Sequence, residues 1–407
     1  MAQRESLAPF FKALEDLEEG RRTQPVRILQ IGDEHTAGDR FSGRLRARFQ
    51  ERFGNAGRGM LPPGVPFEYY APTGVATEQT GPWSVHADPG SAEEPVGLSG
   101  VRLSGGTPGT DLSLYSEEGF DRAELELLLA PEGGTLLVQV DDGVEQRIGT
   151  RGLRSVAFVE LDVPPGSHRL DLRPVGDGPI EILSWTVERE GTGIVLDSHG
   201  VLGATAAVMD TWDRSFVAAE LARRRPDLIL LSYGTNEGFD DGLDLDDYRR
   251  RFQEAALRFA ELAPWAAIYV IGPPDGNRYP DACPVEDREA AETGCAPLSD
   301  EELADYAALL ETASAGGACR WHPPPNLEPV RKVQEAVAAA DGYAYWDWSA
   351  VMEGACGIDR WTRTEPPLAL ENRVHLRPMG YEKSADALFD RIMADYALWR
   401  AARLPAM

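Results

Sequence analysis

Three short stretches place polar or glycine residues directly after an apolar run: IGDEHTAGD (Ile31 to Asp39), SYGTNEGFD (Ser232 to Asp240) and NRVHLRPMGY (Asn372 to Tyr381). They supply a carboxylate at Glu34, an amide at Asn236, and an imidazole at His375 with Asn372 three residues before it. Histidine is the side chain best suited to carry protons near neutral pH. A carboxylate becomes a general acid or a nucleophile when burial raises its pKa, and Asp33 beside Glu34 would help to do so. Used in that way, Glu34 would cleave or transfer a glycosidic bond, chemistry that needs a second carboxylate. Asp33 is too close in sequence to be an obvious partner, whereas Glu237, Asp240 and Asp241 could reach the same pocket. His35, Thr235 and Glu237 are candidate substrate contacts. His35, His199 and His322 lack the H-x-x-x-H or C-x-x-C spacing of metal ligands, so structural or pocket-edge roles are expected of them, with no metal and no cofactor.

The elements that must position these residues follow from hydrophobic periodicity. VRILQIGD (Val26 to Asp33) is a short buried strand that delivers a loop at its carboxyl end, the edge at which α/β sheets bind ligands. Before it, Leu7, Phe10, Phe11, Leu14 and Leu17 recur at helical spacing, with Ser6 as the expected cap and Gly20 as the stop. After it, Phe41 to Phe53 predicts an amphipathic helix stopped by Gly54. The rhythm returns with GIVLD (Gly193 to Asp197), helical sequence to Arg225, DLILLSYG (Asp227 to Gly234), a helix from Tyr248 to Leu262, and AAIYVIGPP (Ala266 to Pro274). A helix near Val330 to Ala339, the strand-like AYWDW (Ala344 to Trp348) and a last helix from about Pro378 to Trp399 complete it. Between His86 and Glu190 the pattern changes to short alternating strands such as ELELLLA and SVAFVELDV, separated by Gly, Pro and Asp turns, which predicts an all-β module. The expected division is 1–84 and 192–407 for the α/β part, with an insert at 85–191.

Together with HGVLGAT (His199 to Thr205), the three stretches resemble the four ordered blocks of the SGNH/GDSL hydrolases: G-D-S, a Gly block, G-x-N-D/E, and D-x-x-H before the last helix, here with P-x-G-Y following the His. The resemblance implies a flavodoxin-like, three-layer α/β fold with an inserted β-sandwich or jelly-roll domain. It implies that the Gly203 N–H and the Asn236 amide are oxyanion-hole donors, and that His375 is the general base. At the position that normally holds the aspartate orienting that base, this chain has Asn372. An amide can accept from a ring N–H but cannot stabilise the imidazolium as a carboxylate does. At the serine position it has Glu34, which offers no hydroxyl for the base to deprotonate, so ordinary serine-esterase chemistry is expected to fail. The larger side chain could instead lie in the oxyanion hole, bonded to Asn236 and paired with His375 as an imidazolium. The insert narrows the resemblance to bacterial peptidoglycan and polysaccharide O-acetylesterases carrying a carbohydrate-binding-like module. That implies an acylated glycan as substrate. Three functional alternatives stay open: an ester hydrolase or transferase scaffold impaired at Glu34, a glycosidase or transglycosylase using Glu34, and a non-catalytic glycan-binding pseudo-esterase. Trp185 and Trp83 could stack on sugars or fill the core, and the core is favoured.

Composition bounds the rest. A formal charge of -27 repels phosphate backbones and anionic lipid surfaces, so nucleic acid is not an expected partner, while a neutral polysaccharide is compatible with that field. The first residues lack the unbroken apolar stretch of a secretory signal, and no later run is long enough to span a bilayer. The four cysteines all lie between Cys283 and Cys356, where two local disulfides are expected. Paired, they place the protein in the periplasm or outside the cell; as free thiols, in the cytoplasm.

Overall fold

The computed structural model describes residues 2–87, 96–280, 283, 294–310 and 319–403. Five parallel strands form one sheet in the spatial order Ile194–Gly200, Val26–Gly32, Leu228–Ser232, Ala267–Gly272 and Ala344–Asp347. Numbered by their place in the chain, these run 2-1-3-4-5, the flavodoxin-like order. The strands are largely buried because helices cover both faces of the sheet.

On one face, Ile28, Leu196, Leu230 and Tyr269 pack with Phe10, Phe11 and Leu14 of helix Ala8–Glu18, with Phe41, Leu45 and Phe49 of helix Arg40–Phe53, and with Leu388, Ile392 and Tyr396 of helix Pro378–Arg403. On the other, Leu29, Ile31, Ile229, Leu231, Ile268 and Val270 meet Val217 and Leu221 of helix Arg214–Arg224, Phe252 and Phe259 of helix Leu245–Leu262, and Val330 and Val337 of helix Leu327–Asp341. The alternation of Ile28 against Leu29 across the sheet is the strand period at work. Each such side chain, fully buried, is worth about 1.5–3 kcal/mol.

The first long helix departs from expectation. Ser6 ends a preceding helix, Ala2–Ser6, and the next begins at Ala8 with Leu7 in the capping position and Pro9 in its first turn. Proline suits that turn because its missing N–H would have no intrahelical partner there.

The inserted part is two antiparallel sheets packed on a core of Leu112, Leu114, Leu125, Leu127, Leu136, Val138, Leu170 and Leu172. One sheet has the order Ser155–Glu160, Arg122–Leu129, Ile180–Glu188, Arg102–Gly105, Ser84–His86; the other has the order Val75–Thr80, Asp111–Phe120, Ser167–Pro174, Thr135–Val140, Gln146–Gly149. Two strands that precede residue 85 belong here. Val75–Thr80 pairs with Asp111–Phe120, and Gly57–Leu61 pairs with Ile180–Glu188, so these sheets draw their strands from Gly57 onward, earlier than the expected 85. Trp185 and Trp83 are core residues of this module, 0% and 9% exposed, and neither offers a face to a sugar.

Cysteine pairing lies within the expected stretch: Cys283 bonds Cys319, and Cys295 bonds Cys356. No helix among the described residues is long and apolar enough to cross a membrane.

Candidate active site

At the carboxyl end of strand Val26–Gly32 the chain turns into a single helical turn, Glu34–Ala37. Asp33 caps it, its carboxylate accepting from the His35 N–H at 3.0 Å, while the Asp33 N–H donates to the Ser232 carbonyl of the neighbouring strand. The turn presses on the other neighbouring strand at Gly200, where an added Cβ would lie 2.1 Å from the Ala37 nitrogen. Only glycine permits that approach. The next turn is fixed by Asp39, whose carboxylate bonds Arg46 and Arg58. Burial raises its pKa, but the two guanidiniums overcome this and hold the group well below the usual carboxylate range.

Glu34 projects from this turn towards the loop that follows strand Ile194–Gly200. Its Oε2 accepts from the Gly203 N–H at 3.2 Å and from Asn236 Nδ2 at 2.9 Å. Gly203 has φ +70°, a left-handed backbone natural to glycine. The same Asn236 Nδ2 also donates to the Ala204 carbonyl at 2.9 Å, which fixes the amide's orientation. Two donors thus converge on one charged oxygen. Both are placed by backbone turns rather than by long mobile side chains, so they form a preorganised site for negative charge.

Below these donors the site is buried and acidic. Glu237 is 3% exposed, and its Oε1 accepts from the Ala206 N–H at 2.7 Å, which pins the loop carrying Gly203. Burial pushes its carboxyl up to about 7. Asp33 is raised well above its ordinary value, first by burial and then by the charge of Glu34. Thr235 lies in the same layer, 4% exposed. His35 is 2% exposed, its Nδ1 bonded to the Tyr381 hydroxyl at 2.9 Å and its ring against Trp348 and His375. Burial lowers its pKa to about 4, so it is neutral near pH 7. The three residues expected to touch substrate, His35, Thr235 and Glu237, therefore lie beneath the rim as its support. Helical direction explains His35: one residue after Glu34 the side chain turns by about 100° and enters the core.

His375 is brought to the same end of the sheet, its ring centroid 5.6 Å from that of His35. Asn372 does not hold it as expected. The Asn372 Oδ1 is occupied by the backbone N–H groups of Val374 and His375, both at 3.1 Å. Its Nδ2 faces His375 Nδ1 at 2.9 Å. An NH2 group donates, so Nδ1 must be the acceptor and the neutral ring carries its proton on Nε2. A carboxylate at this position would impose the opposite tautomer. The expected ion pair between Glu34 and His375 is absent among the described residues, because the carboxylate is satisfied by Gly203 and Asn236.

The other candidates stand apart or are committed. Asp241 pairs with Arg278, and the Asp240 carboxylate accepts from Gly242 N. His199 is buried in the sheet, and His322 bonds the Tyr306 hydroxyl at 2.8 Å. Among the described residues no group of three or more His, Cys, Asp or Glu side chains could hold a metal ion. Sequence reasoning gave no role to Tyr381, although it is the tyrosine of the P-x-G-Y stretch after His375; its position one helical turn into helix Pro378–Arg403 was the available signal.

No protein-family model and no curated protein matches this chain. Among solved structures, a peptidoglycan O-acetylesterase matches with a TM-score of 0.73 and 23% sequence identity, covering 97% of this chain and 96% of that one. A family two carbohydrate esterase from Cellvibrio japonicus aligns over 80% of this chain and 99% of its own at 13% identity and TM-score 0.26. A GDSL-like lipase from Parabacteroides merdae aligns over 50% and 74% at 13% identity and TM-score 0.31. The last two superpose only loosely. The chain shares the fold of that peptidoglycan O-acetylesterase, an α/β body with separate antiparallel β-sheets added to it.

Proposed function

We propose that this chain is a glycan-directed SGNH scaffold whose ester-cleaving chemistry is blocked by its own Glu34, a carboxylate lying in the oxyanion hole. The observation that carries this is the pair of bonds from Gly203 N–H and Asn236 Nδ2 to Glu34 Oε2. In an active relative of this design those donors would receive the oxygen of a tetrahedral acyl intermediate, a serine would attack, and His375 would take the proton. Here the hole holds a tethered anion, the attacking hydroxyl is missing, and the His375 tautomer presents N–H where a base must present a lone pair. We assign Gly203 and Asn236 as the oxyanion donors, Glu34 as the occupant, His375 as the disabled base, and Asn372 as the group that disables it. A glycan as ligand is favoured by the fold shared with a peptidoglycan O-acetylesterase, and an oxidising compartment, periplasmic or extracellular, by the two disulfides.

The glycosidase alternative is less well supported. It needs a second carboxylate facing the substrate. Glu237 and Asp33 are buried and already bonded to backbone, and Asp241 is paired with Arg278.

The test compares the native chain with Glu34→Ser, Asn372→Asp and the double variant on an aryl acetate and on O-acetylated and plain bacterial glycans. Binding without product in the native chain, with ester cleavage appearing in the double variant, is the expected result. A folded double variant that cleaves no ester would overturn it. Sugar release by the native chain, lost in Glu34→Gln, would establish the glycosidase instead.

A further inference from the structure

Away from the rim, helix Arg214–Arg224 of the α/β body meets strand Ser155–Glu160 of the β-module, and Arg223 reaches on to strand Arg122–Leu129. The outer part of this seam is ionic: Arg223 pairs with Glu124 and Glu160, and Arg224 with Glu188. Its inner part is two glutamates, Glu126 from the strand and Glu220 from the helix, 2% and 0% exposed.

Across the seam the two carboxyls lie against one another. Their outer oxygens are satisfied separately: Glu126 Oε2 accepts from Ser184 Oγ at 2.8 Å, and Glu220 Oε1 from the Leu98 N–H at 2.7 Å. The remaining oxygens, Glu126 Oε1 and Glu220 Oε2, are fully buried and meet no donor from any other group. Two carboxylate oxygens cannot bond without a proton between them, and two buried like charges repel. Gly97 closes the site, since a Cβ there would lie 2.2 Å from Glu220 Oε1. The charged groups facing the pair are Glu124 on its own strand and Arg224 on the helix; the neutral donors are Ser184 on the adjacent strand and the Leu98 N–H in the loop.

We infer that Glu126 and Glu220 share one proton and act as a pH-sensitive latch fastening the β-module to the α/β body, closed in mildly acidic solution and loosened as that proton leaves to solvent. Burial, the first cause in both groups, raises both carboxyls, Glu126 to about 7 and Glu220 well above its ordinary value. The sign follows from linkage. A carboxyl whose folded pKa is raised gives its full stabilisation below the unfolded value near 4.5 and loses it as pH rises through the folded value. The window for the latch therefore opens near pH 4.5 and runs through about 7, the raised value of Glu126. Glu160 is held below the ordinary glutamate range by Arg223, and Glu188 is held there, against burial, by Arg224 and Arg27, so both stay charged in that window and the seam keeps these ion pairs while its centre opens.

The test measures thermal midpoints of the native full-length chain, Glu126→Gln and Glu220→Gln from pH 5 to 8, with amide hydrogen exchange over residues 96–101, 122–129 and 214–224. A glutamine amide can donate to the remaining carboxylate, so it imitates the shared proton at every pH. The expected result is near-equal midpoints at pH 5, a native chain that falls a few degrees behind either variant by pH 8, and faster native exchange in those three segments alone. Parallel midpoint curves, or variants weakened equally at all pH values, would overturn the inference. Should neither variant fold, the pH dependence of exchange in the native chain decides it: protection in the three segments that does not fall between pH 5 and 8 overturns the latch.

Discussion

The two halves of the rim have different construction. The half formed by Gly203 and Asn236 is complete: a left-handed glycine and an amide locked by the Ala204 carbonyl direct two donors at one oxygen. The half that would move a proton in the proposed esterase design has a carboxylate at Glu34, which offers no hydroxyl, and at Asn372 an NH2 group that faces His375 Nδ1. The Gly203 donor is a backbone N–H fixed by its turn, and the Asn236 donor is an NH2 group held by a carbonyl, so neither needs to change its protonation. Proton transfer does depend on such a change, and one donor exchanged for one acceptor reverses it.

The largest expected effect comes from repairing the second half. Glu34→Ser alone should leave aryl acetate hydrolysis low, because the ring still presents N–H. Adding Asn372→Asp should raise kcat by orders of magnitude, approaching the roughly 10⁴-fold cost of a wrong histidine tautomer in a serine hydrolase. Equal rates in the single and double variants would show that the tautomer is not the obstacle. Next in size, Asn236→Ala in the repaired chain should lower kcat by about 10²–10³-fold with little change in KM, the cost of one oxyanion donor. A change confined to KM would mean that the first half only binds.

A smaller and more direct measurement is ¹⁵N NMR of the His375 ring, expected to report the Nε2–H form in the native chain and the Nδ1–H form in Asn372→Asp. The smallest effect is expected at the support beneath the first half. Burial lifts Glu237 to about 7, so its contribution to stability is present below pH 4.5 and lost as pH rises through 7. Glu237→Gln, which still accepts from the Ala206 N–H, should match the native midpoint at pH 5 and equal or exceed it at pH 8. A variant that is weaker at pH 8 would assign the carboxylate itself to holding the Gly203 loop.

Much of this arrangement was legible from the chain. The apolar runs ending at Gly32, Ser232 and Gly272 are strands that stop where polar loops begin, and that boundary located the rim. Strand Gly57–Leu61 was not visible, because GRGML lacks alternation and its pairing with Ile180–Glu188 lies far away in sequence. His35 and Glu237 were grouped with substrate because they adjoin Glu34 and Asn236 in sequence, yet on a helical turn adjacent residues point in different directions. Nor could the residue type at position 372 say which end of its amide would meet the imidazole.

Residue identity by itself determined that a carboxylate stands at position 34 and an amide at position 372, and that strand-and-helix rhythm yields a parallel sheet with a β-rich interruption. Those are properties of side-chain chemistry and local period. Only the tertiary structure decided where the Glu34 carboxylate rests, how Asn372 is turned, and that Glu126 and Glu220, far apart in the chain, are buried at one seam. Each depends on which donors and acceptors are left over once backbone packing has claimed its own, and that remainder exists only in the folded molecule.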